Sequence, residues 1–334
     1  MTSGEKGVAL VTGSSTGIGF ETSLAFAQNR YRTFATMRDL SKAEPLQNRV
    51  KSEHLPLKVV RMDVDECDSV TEAIKEIFEE EKRIDILVNN AGYGLFGALE
   101  DLSIEDIKRQ FETNYFGAIR TIQQVLPIMR SQGSGNIVNI SSMSGFIGFP
   151  ASSVYVSSKF ALEGLSESLS FEVAPYGINI ILIEPGVINT RFVENLVLPA
   201  NTQEISSTLL KELSSSLDTF SSPPPSTVTI AIHSSSYALK PNREKYERKE
   251  PTKYSDLVKR FLSHYYPSMS TAPDPKEVAQ AILESIEMRR RRPFNRNHNL
   301  FRYPVGQDAK LYAEAKKKTS DSELHSLVTE RTIL

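Results

Sequence analysis

Residues 8–29 read VALVTGSSTGIGFETSLAFAQN, which places a short apolar run, a glycine-rich turn and a helical pattern in direct succession. The apolar run is typical of a strand buried on both faces of a parallel sheet. A glycine-rich turn between such a strand and a helix directs backbone N–H groups at a phosphate. The segment therefore predicts a dinucleotide-binding turn, and its expected ligand contacts are Gly13, Ser15, Gly17, Ile18 and Gly19.

Further apolar runs follow at a regular spacing, with helical patterns between them, at residues 33–37, 57–60, 84–88, 137–140 and 178–184. Strands that alternate with helices predict the α/β class, with a doubly wound parallel sheet (a Rossmann fold). Ligands of such sheets bind outside the carboxyl ends of the strands. The residues at those ends are therefore candidate contacts: Gly13, Arg38, Asp63, Asn90, Ser142 and Pro185-Gly186.

The end of the second strand bears on the choice of dinucleotide. An acidic residue about 20 positions after the glycines would bind the adenosine ribose hydroxyls. We align Met37 with that position, which leaves Arg38 to meet a 2′-phosphate and predicts NADP. The alternative alignment places Asp39 there and favours NAD.

Polar residues after the next two strands have two readings each. Asp63 could accept a hydrogen bond from an adenine amino group, or cap a helix that begins near Asp68. The sequence Asn89-Asn90-Ala91-Gly92 offers small residues beside a ligand, and its amides could tie strand ends together.

The segment from Asn136 to Glu172 carries the candidate chemistry. Tyr155 and Lys159 are four residues apart on a predicted helix, so the phenol and the ammonium share one face. A nearby cation should lower the phenol pKa from its usual value of about 10 and so prepare a general acid or base. The alternative is an ordinary amphipathic surface. Asn114 likewise lies on an apolar helical face, where a buried amide satisfied by backbone is the simpler explanation.

These motifs together resemble the short-chain dehydrogenase/reductase family across residues 5–190. The matching features are Thr12-Gly-x-x-x-Gly17-x-Gly19, Asn89-Asn90-Ala91-Gly92, Asn114, Ser142 and Tyr155-x-x-x-Lys159. Ser142 precedes Tyr155 by 13 residues (155 − 142), as the family motif requires. TMRDL after the second strand and RYPVGQDAK at 302–310 are similar to the hydroxysteroid and retinol dehydrogenase group.

The resemblance implies a role for each catalytic residue. Tyr155 would exchange a proton with the substrate oxygen, and Ser142 would hydrogen-bond that oxygen. Lys159 would lower the phenol pKa and hold the nicotinamide ribose, and Asn114 would hold a water that links Lys159 to solvent. Strand alternation places Ser141 on the opposite face from Ser142.

The resemblance also extends to the cofactor, which supplies the hydride. The nicotinamide carboxamide would meet the backbone around Val187 and the hydroxyl of Thr190. The full set of expected cofactor contacts is Gly13, Ser15, Gly17, Ile18, Gly19, Arg38, Asp63, Asn90, Tyr155, Lys159, Val187 and Thr190; no metal ligand is among them.

Composition bounds the other possibilities. The chain has 334 residues, 40% hydrophobic and 24% charged, and its net charge of −2 predicts no general attraction to nucleic acid or anionic membrane. A single cysteine, Cys67, fits a reducing compartment. No signal peptide or integral membrane segment is recognisable, so we expect a cytoplasmic protein.

The chain is longer than compact members of this family. We treat residues 1–334 as a single Rossmann-type domain in which 191–270 is a helical insertion that covers the substrate as a lid. Its predicted features are an amphipathic helix at 205–217, a proline connector at 221–226 and a second helix at 254–265. A surface decoration is the alternative.

Residues 271–334 are expected to form a C-terminal helix and a tail. Asp274-Pro275-Lys276-Glu277 predicts a helix start, and the helix would end at Arg289–Arg292. A solvated end is the main interpretation of these arginines, with anionic lipid or nucleic acid as the alternative. Residues 310–334 are expected to be a helix or a frayed tail.

The sequence thus predicts an NADP-preferring oxidoreductase that interconverts an alcohol and a ketone or aldehyde. The apolar insertion favours a lipophilic substrate, steroid-like, retinoid-like or another bulky alcohol. The resemblance suggests a homodimer or homotetramer that packs through the helices containing Asn114 and Tyr155. The alternative is a non-catalytic, dinucleotide-binding regulatory protein on the same fold.

Overall fold

A parallel sheet runs through the molecule. The computed structural model describes residues 6–199, 253–291 and 300–334. Within these ranges the strands are all parallel, in the order β3-β2-β1-β4-β5-β6-β7. Their bounds are β1 Val8–Val11, β2 Arg32–Met37, β3 Leu57–Arg61, β4 Ile86–Asn89, β5 Gly135–Ile140, β6 Ile178–Pro185 and β7 Leu300–Val305. The predicted doubly wound α/β fold is confirmed.

Helices cover both faces of the sheet. Their bounds are α1 Gly17–Gln28, α2 Glu44–Glu53, α3 Cys67–Glu81, α4 Ile104–Phe111, α5 Gly117–Gln132, α6 Ser153–Val173, α7 Ser255–Ser270, α8 Pro275–Arg291, α9 Gln307–Lys318 and α10 Asp321–Thr332. One buried cluster joins α3, α5 and α6 to the sheet, and a second joins α1 and α8 to its other face. None of the helices in the described ranges combines the length and apolarity needed to cross a membrane.

Polar side chains tie the centre of the sheet to the helices. Asn89 donates to Asn139 across β4 and β5 at 2.9 Å, and Asn139 donates to Ser166 of α6 at 2.8 Å. Thr121 of α5 donates to Asn89 at 2.5 Å. Asn90 donates to the carbonyl oxygens of Thr12 and Gly13, as the predicted tie between strand ends requires. These satisfied amides fix the carboxyl ends of β1, β4 and β5, where the candidate site lies.

The described part of the chain after residue 253 contains more regular secondary structure than the sequence predicts. α8 begins as expected, with Asp274 accepting from the N–H of Lys276 at 2.8 Å. At its far end the Arg289 guanidinium lies 3.4 Å from the ring centre of Phe301, so this arginine packs against the protein rather than standing wholly in solvent.

The sequence analysis missed β7, which pairs with β6 from Leu300 to Val305. Arg302 and Pro304 interrupt its apolar pattern, and proline is tolerated there because β7 is an edge strand. Of the two alternatives for residues 310–334, a helix or a frayed tail, helices α9 and α10 agree with the helical one, and Ser320 and Glu323 form a capping box before α10. The predicted helix at 205–217 and the connector at 221–226 lie outside the described residues.

Candidate active site

Tyr155 and Lys159 occupy one face of α6, where Lys159 is buried and Tyr155 is half-buried. The Lys159 Nζ lies 5.8 Å from the centre of the Tyr155 ring and donates to the Ile140 carbonyl at the end of β5 at 2.8 Å. Lys159 is only 7% exposed. The surface-pair alternative is therefore excluded, since a solvated amphipathic face would expose the ammonium.

The pKa values of this pair differ from the sequence prediction. Burial raises the pKa of Tyr155 to about 12, and only the Ser142 hydroxyl opposes it. Phe96 and Phe192 pack edge-on to the phenol ring, each with 5.8 Å between ring centres, and the net direction of the Tyr155 pKa is thus opposite to the lowering that the sequence predicts. The role of Lys159 itself stays a prediction. Burial also lowers the pKa of Lys159 to about 8. The phenol is therefore protonated at neutral pH, and the Lys159 ammonium loses its proton just above neutral pH.

The two serines after β5 have different surroundings. The Ser142 hydroxyl adjoins the Tyr155 phenol, accepts from the N–H of Ser144 at 3.1 Å and lies 3.4 Å from the Pro185 carbonyl oxygen. Ser141 is also buried, but it lies beside Glu163 of α6. Ser142 is therefore the serine that adjoins the phenol.

Asn114 lies in a π-helical turn, Glu112–Phe116, between α4 and α5. Its amide nitrogen donates to the Tyr93 carbonyl at 3.0 Å, and its oxygen accepts from the Tyr93 N–H at 3.1 Å. The backbone-satisfied reading is thus correct for its side chain. A cavity of about 10 Å³ borders both Asn114 and Lys159, which is about the volume that one water needs. π-turns inside helices often mark functional sites.

The glycine-rich turn fits a dinucleotide. Gly13 has φ +67°, and a Cβ there would lie 2.8 Å from the Ala91 Cα. A Cβ on Gly19 would overlap the Asn90 amide and the Gly13 carbonyl oxygen. The backbone therefore approaches its neighbours as closely as a phosphate-binding turn requires. Four of the five predicted residues of this turn line the large cavity described below, namely Gly13, Ser15, Gly17 and Ile18, whereas Gly19 does not; Asn90, in the loop after β4, also lines it.

The residues after β2 lie at the end of the cavity where the adenosine is predicted to bind, here called the adenosine end. β2 ends at Met37, as the alignment assumed, and Arg38, Asp39 and Lys42 all line the cavity. Asp39 accepts from both the N–H and the hydroxyl of Ser41, at 3.0 and 2.7 Å, and these bonds hold its pKa below its usual value. The carboxylate that would favour NAD is therefore engaged in a local turn.

Asp63 also faces this end of the cavity. Its carboxylate accepts from the N–H of Asp65 at 3.1 Å, whereas α3 begins at Cys67 with Glu66 at its N-cap position. The helix-cap alternative for Asp63 is therefore wrong, and the adenine contact stays a prediction.

The loop after β6 is held by the C-terminal part of the chain. The N–H of Val187 donates to Asp308 of α9 at 2.8 Å, and a Cβ on Gly186 would overlap the same carboxylate. Thr190 lies against Gly17, since a Cβ on Gly17 would be 3.3 Å from the Thr190 Cβ. The cofactor contacts predicted for Val187 and Thr190 stay predictions, and for Val187 the N–H is already bonded.

A single cavity of about 990 Å³ joins the glycine turn to the catalytic pair. Beyond Tyr155 it becomes aromatic, because the 191–199 segment and α7 close over it. The 191–199 segment is tied to the loop after β4 by the Val197 N–H, which donates to Gly94 at 2.8 Å. The aromatic lining comprises Phe96, Phe149, Phe192, Phe261, Tyr265, Tyr266 and Tyr312. The predicted second amphipathic helix does line an apolar pocket.

Comparison with known proteins agrees with this geometry. The model of the short chain dehydrogenase family matches residues 7–200. This chain belongs to the short-chain dehydrogenase family. An NAD(P)-dependent oxidoreductase acting on CH–OH groups, as predicted, is confirmed at the level of the family.

Several relatives are characterised to different degrees. An uncharacterized oxidoreductase, YusZ, from Bacillus subtilis is 33% identical over 92% of this chain and 91% of its own. Human retinol dehydrogenase 8 is 42% identical over 60% of this chain and 64% of its own. A gluconate 5-dehydrogenase from Burkholderia cenocepacia, solved with NADP and tartrate, superposes with TM-score 0.54 at 30% identity over 56% of this chain and 74% of its own.

Two charged and two aromatic residues of the site were not predicted from the sequence. Lys42 and Asp308 carry charge to the cavity, and Phe96 and Phe192 enclose the phenol. Asp308 lies inside the quoted RYPVGQDAK motif, which could have indicated an anchor. The aromatic pair had no signal, since neither ring belongs to a periodic pattern.

Proposed function

We propose that this chain is an NADP-preferring oxidoreductase that interconverts a lipophilic alcohol and its carbonyl compound. The observation that carries the proposal is the Tyr155–Lys159 pair, which lies beside Ser142 in a cavity that begins at a glycine-rich turn. A bound nicotinamide dinucleotide would supply the hydride chemistry.

The chain's own residues then handle the proton. Ser142 hydrogen-bonds the substrate oxygen where negative charge develops, and Tyr155 gives that oxygen its proton. The protonated phenol is the form that donates a proton in carbonyl reduction, and the phenolate is the form that accepts one in alcohol oxidation. Lys159 faces the phenol with its positive charge, and the small cavity it shares with Asn114 offers room for the water that returns the proton from solvent.

NADP rather than NAD follows from charge at the adenosine end. Arg38 and Lys42 both line the cavity there, whereas the Asp39 carboxylate bonds to Ser41. A guanidinium matches a 2′-phosphate in charge and in hydrogen-bond geometry. The proposal of a lipophilic substrate rests on the aromatic lining, and the described part of the 191–270 insertion, residues 191–199 and α7, would act as its lid.

Tyr155→Phe tests the catalytic role. The variant keeps the ring and loses the proton, so we expect kcat to fall by about 10²–10⁴-fold with NADPH binding unchanged. NADPH fluorescence titration and steady-state rates measure the two. Tyr176→Phe, which changes an exposed tyrosine, is the control. Undiminished turnover by Tyr155→Phe would refute the role, and a wild-type protein that binds NADPH but turns over no carbonyl would support the regulatory alternative.

Assembly and location complete the proposal. Exposed rings on and beside α5 and α6 support a homodimer or homotetramer through these helices, notably Phe116, Phe160 and Phe171. Light scattering that gives a monomer mass would contradict it.

Cys67 is an exposed free thiol at the start of α3, which supports the cytoplasm as the compartment. Fractionation of cells tests that location.

A further inference from the structure

A charged cluster lies behind the catalytic pair. Glu163 follows Lys159 by one turn of α6, and Glu184 is the penultimate residue of β6. Arg302 of β7 contacts Glu163 through Nη1 and reaches Glu184 at 3.2 Å and Glu167 at 3.2 Å. The Glu163 and Glu184 side chains are 6% and 4% exposed, whereas Glu167 is 59% exposed. The C-terminal part of the chain thus places one guanidinium between two buried carboxylates.

Such carboxylates stay ionised only when they are paired. Burial and the neighbouring Glu184 carboxylate together raise the pKa of Glu163 to about 7, against the opposing effect of Arg302. Burial likewise raises the pKa of Glu184, and Arg302 opposes that rise together with Lys316 and Lys317 of α9. The Ser141 hydroxyl lies beside Glu163 and also lowers its pKa. Arg302 is therefore the nearest cation that favours the charged form of both carboxylates.

The same cluster acts on Lys159. Burial lowers the Lys159 pKa to about 8, and Glu163 is the charged group that raises it. A buried ammonium near its titration point depends strongly on the neighbouring anion. Protonation of Glu163 removes that anion.

We propose that Glu163, whose ionised form Arg302 favours, is the counter-charge that keeps Lys159 protonated, so that β7 controls the proton chemistry at Tyr155. Glu163 and Arg302 act through Lys159 and are positioning residues. This inference rests on the catalytic role proposed for Tyr155 and Lys159.

The first experiment is a pH profile of kcat/KM for Glu163→Gln and Arg302→Met. In the wild type the rate should fall as pH rises through about 8, where Lys159 loses its proton. Loss of the counter-charge should move this alkaline limb of the profile to a pH lower by about one unit. The value of kcat/KM should then fall about fivefold at pH 8 and change little at pH 6. Arg302→Lys keeps a cation and should restore the wild-type limb.

Glu167→Gln is the matched control, because Glu167 contacts the same arginine from the surface. It should leave the limb in place. An unmoved limb in both Glu163→Gln and Arg302→Met, or an equal shift in Glu167→Gln, would overturn the proposal.

A second experiment needs neither cofactor nor turnover. The folded-state pKa of Glu163 lies above its usual value of 4.5, so its ionisation opposes folding. Wild-type stability should therefore fall relative to Glu163→Gln as pH rises from about 4.5 to about 7, and the difference should level off above that range. Denaturant unfolding of the cofactor-free protein measures it. A difference that still changes above pH 8 would show that Glu163 is protonated where Lys159 titrates and would overturn the proposal, whereas activity of Tyr155→Phe would refute only the catalytic role.

Discussion

The two ends of the cavity use charge in different ways. At the adenosine end, Arg38, Asp39 and Lys42 stand at the surface, and Asp39 is satisfied by its near neighbour Ser41. At the end that holds Tyr155 and Lys159, the lysine is buried and the tyrosine half-buried, and burial raises the pKa of Tyr155 to about 12 and lowers that of Lys159 to about 8. Surface charge attracts a ligand and is screened by salt, whereas buried charge depends on what is packed around it. The first end should therefore respond to salt, and the second to pH.

The largest effect in this comparison is expected from Arg38→Met. Removal of the guanidinium should lower kcat/KM with NADP by about 10–100-fold, because a charge-assisted hydrogen bond to phosphate contributes about 1.5–3 kcal/mol. Activity with NAD should hardly change. Steady-state kinetics with both cofactors at low and high salt measure the effect, and the salt dependence with NADP should weaken in the variant.

The control for this change is Arg61→Met, which removes an exposed arginine from the end of β3. A wild-type protein that prefers NAD, or an Arg38→Met variant that keeps its NADP preference, would contradict the assignment.

Part of this architecture could be predicted from local pattern. The first six strands lie within a few residues of their predicted bounds, because buried parallel strands are continuous apolar runs and glycines mark their ends. The shared face of Tyr155 and Lys159 follows from helical periodicity alone. β7 could not be found in this way, since Arg302 and Pro304 hide its pattern.

The electrostatics of the site could not be predicted either. Arg302 meets Glu163 across 139 positions of sequence, and Asp308 meets Val187 across 121. No local spacing encodes such pairs. The Tyr155 pKa took the opposite direction for the same reason, because Phe96 and Phe192 arrive from distant loops and remove the phenol from water. Pattern thus predicts which residues meet on one element, and tertiary packing determines their protonation.

A change in the aromatic lining gives the next largest effect. Phe261 of α7 stacks with Tyr265 at 5.8 Å and packs edge-on to Phe96 at 5.6 Å. Phe261→Ala should raise KM for bulky lipophilic carbonyls by about tenfold, since burial of one such side chain contributes about 1.5–3 kcal/mol. Small polar substrates should be affected much less. A size-graded substrate series measures the difference.

Phe78→Ala, on the outer face of α3, is the matched control for loss of a phenyl ring. Equal changes in KM for large and small substrates would remove the lipophilic class and the proposed lid, and a screen in which only small polar sugars react would do the same.

The smallest effect is expected from Asp39→Asn. Its carboxylate accepts from Ser41 and starts a short helical turn, so its charge is used locally rather than toward the ribose. Asparagine can accept the same backbone hydrogen bond, so the NADP-to-NAD ratio of kcat/KM should change by less than about threefold. Comparison of this variant with Arg38→Met shows which of the two residues, Arg38 or Asp39, determines the preference between NADP and NAD. A tenfold loss of activity with NAD alone would show that Asp39 binds the ribose, and the adenosine end would then select its cofactor through an anion rather than a cation.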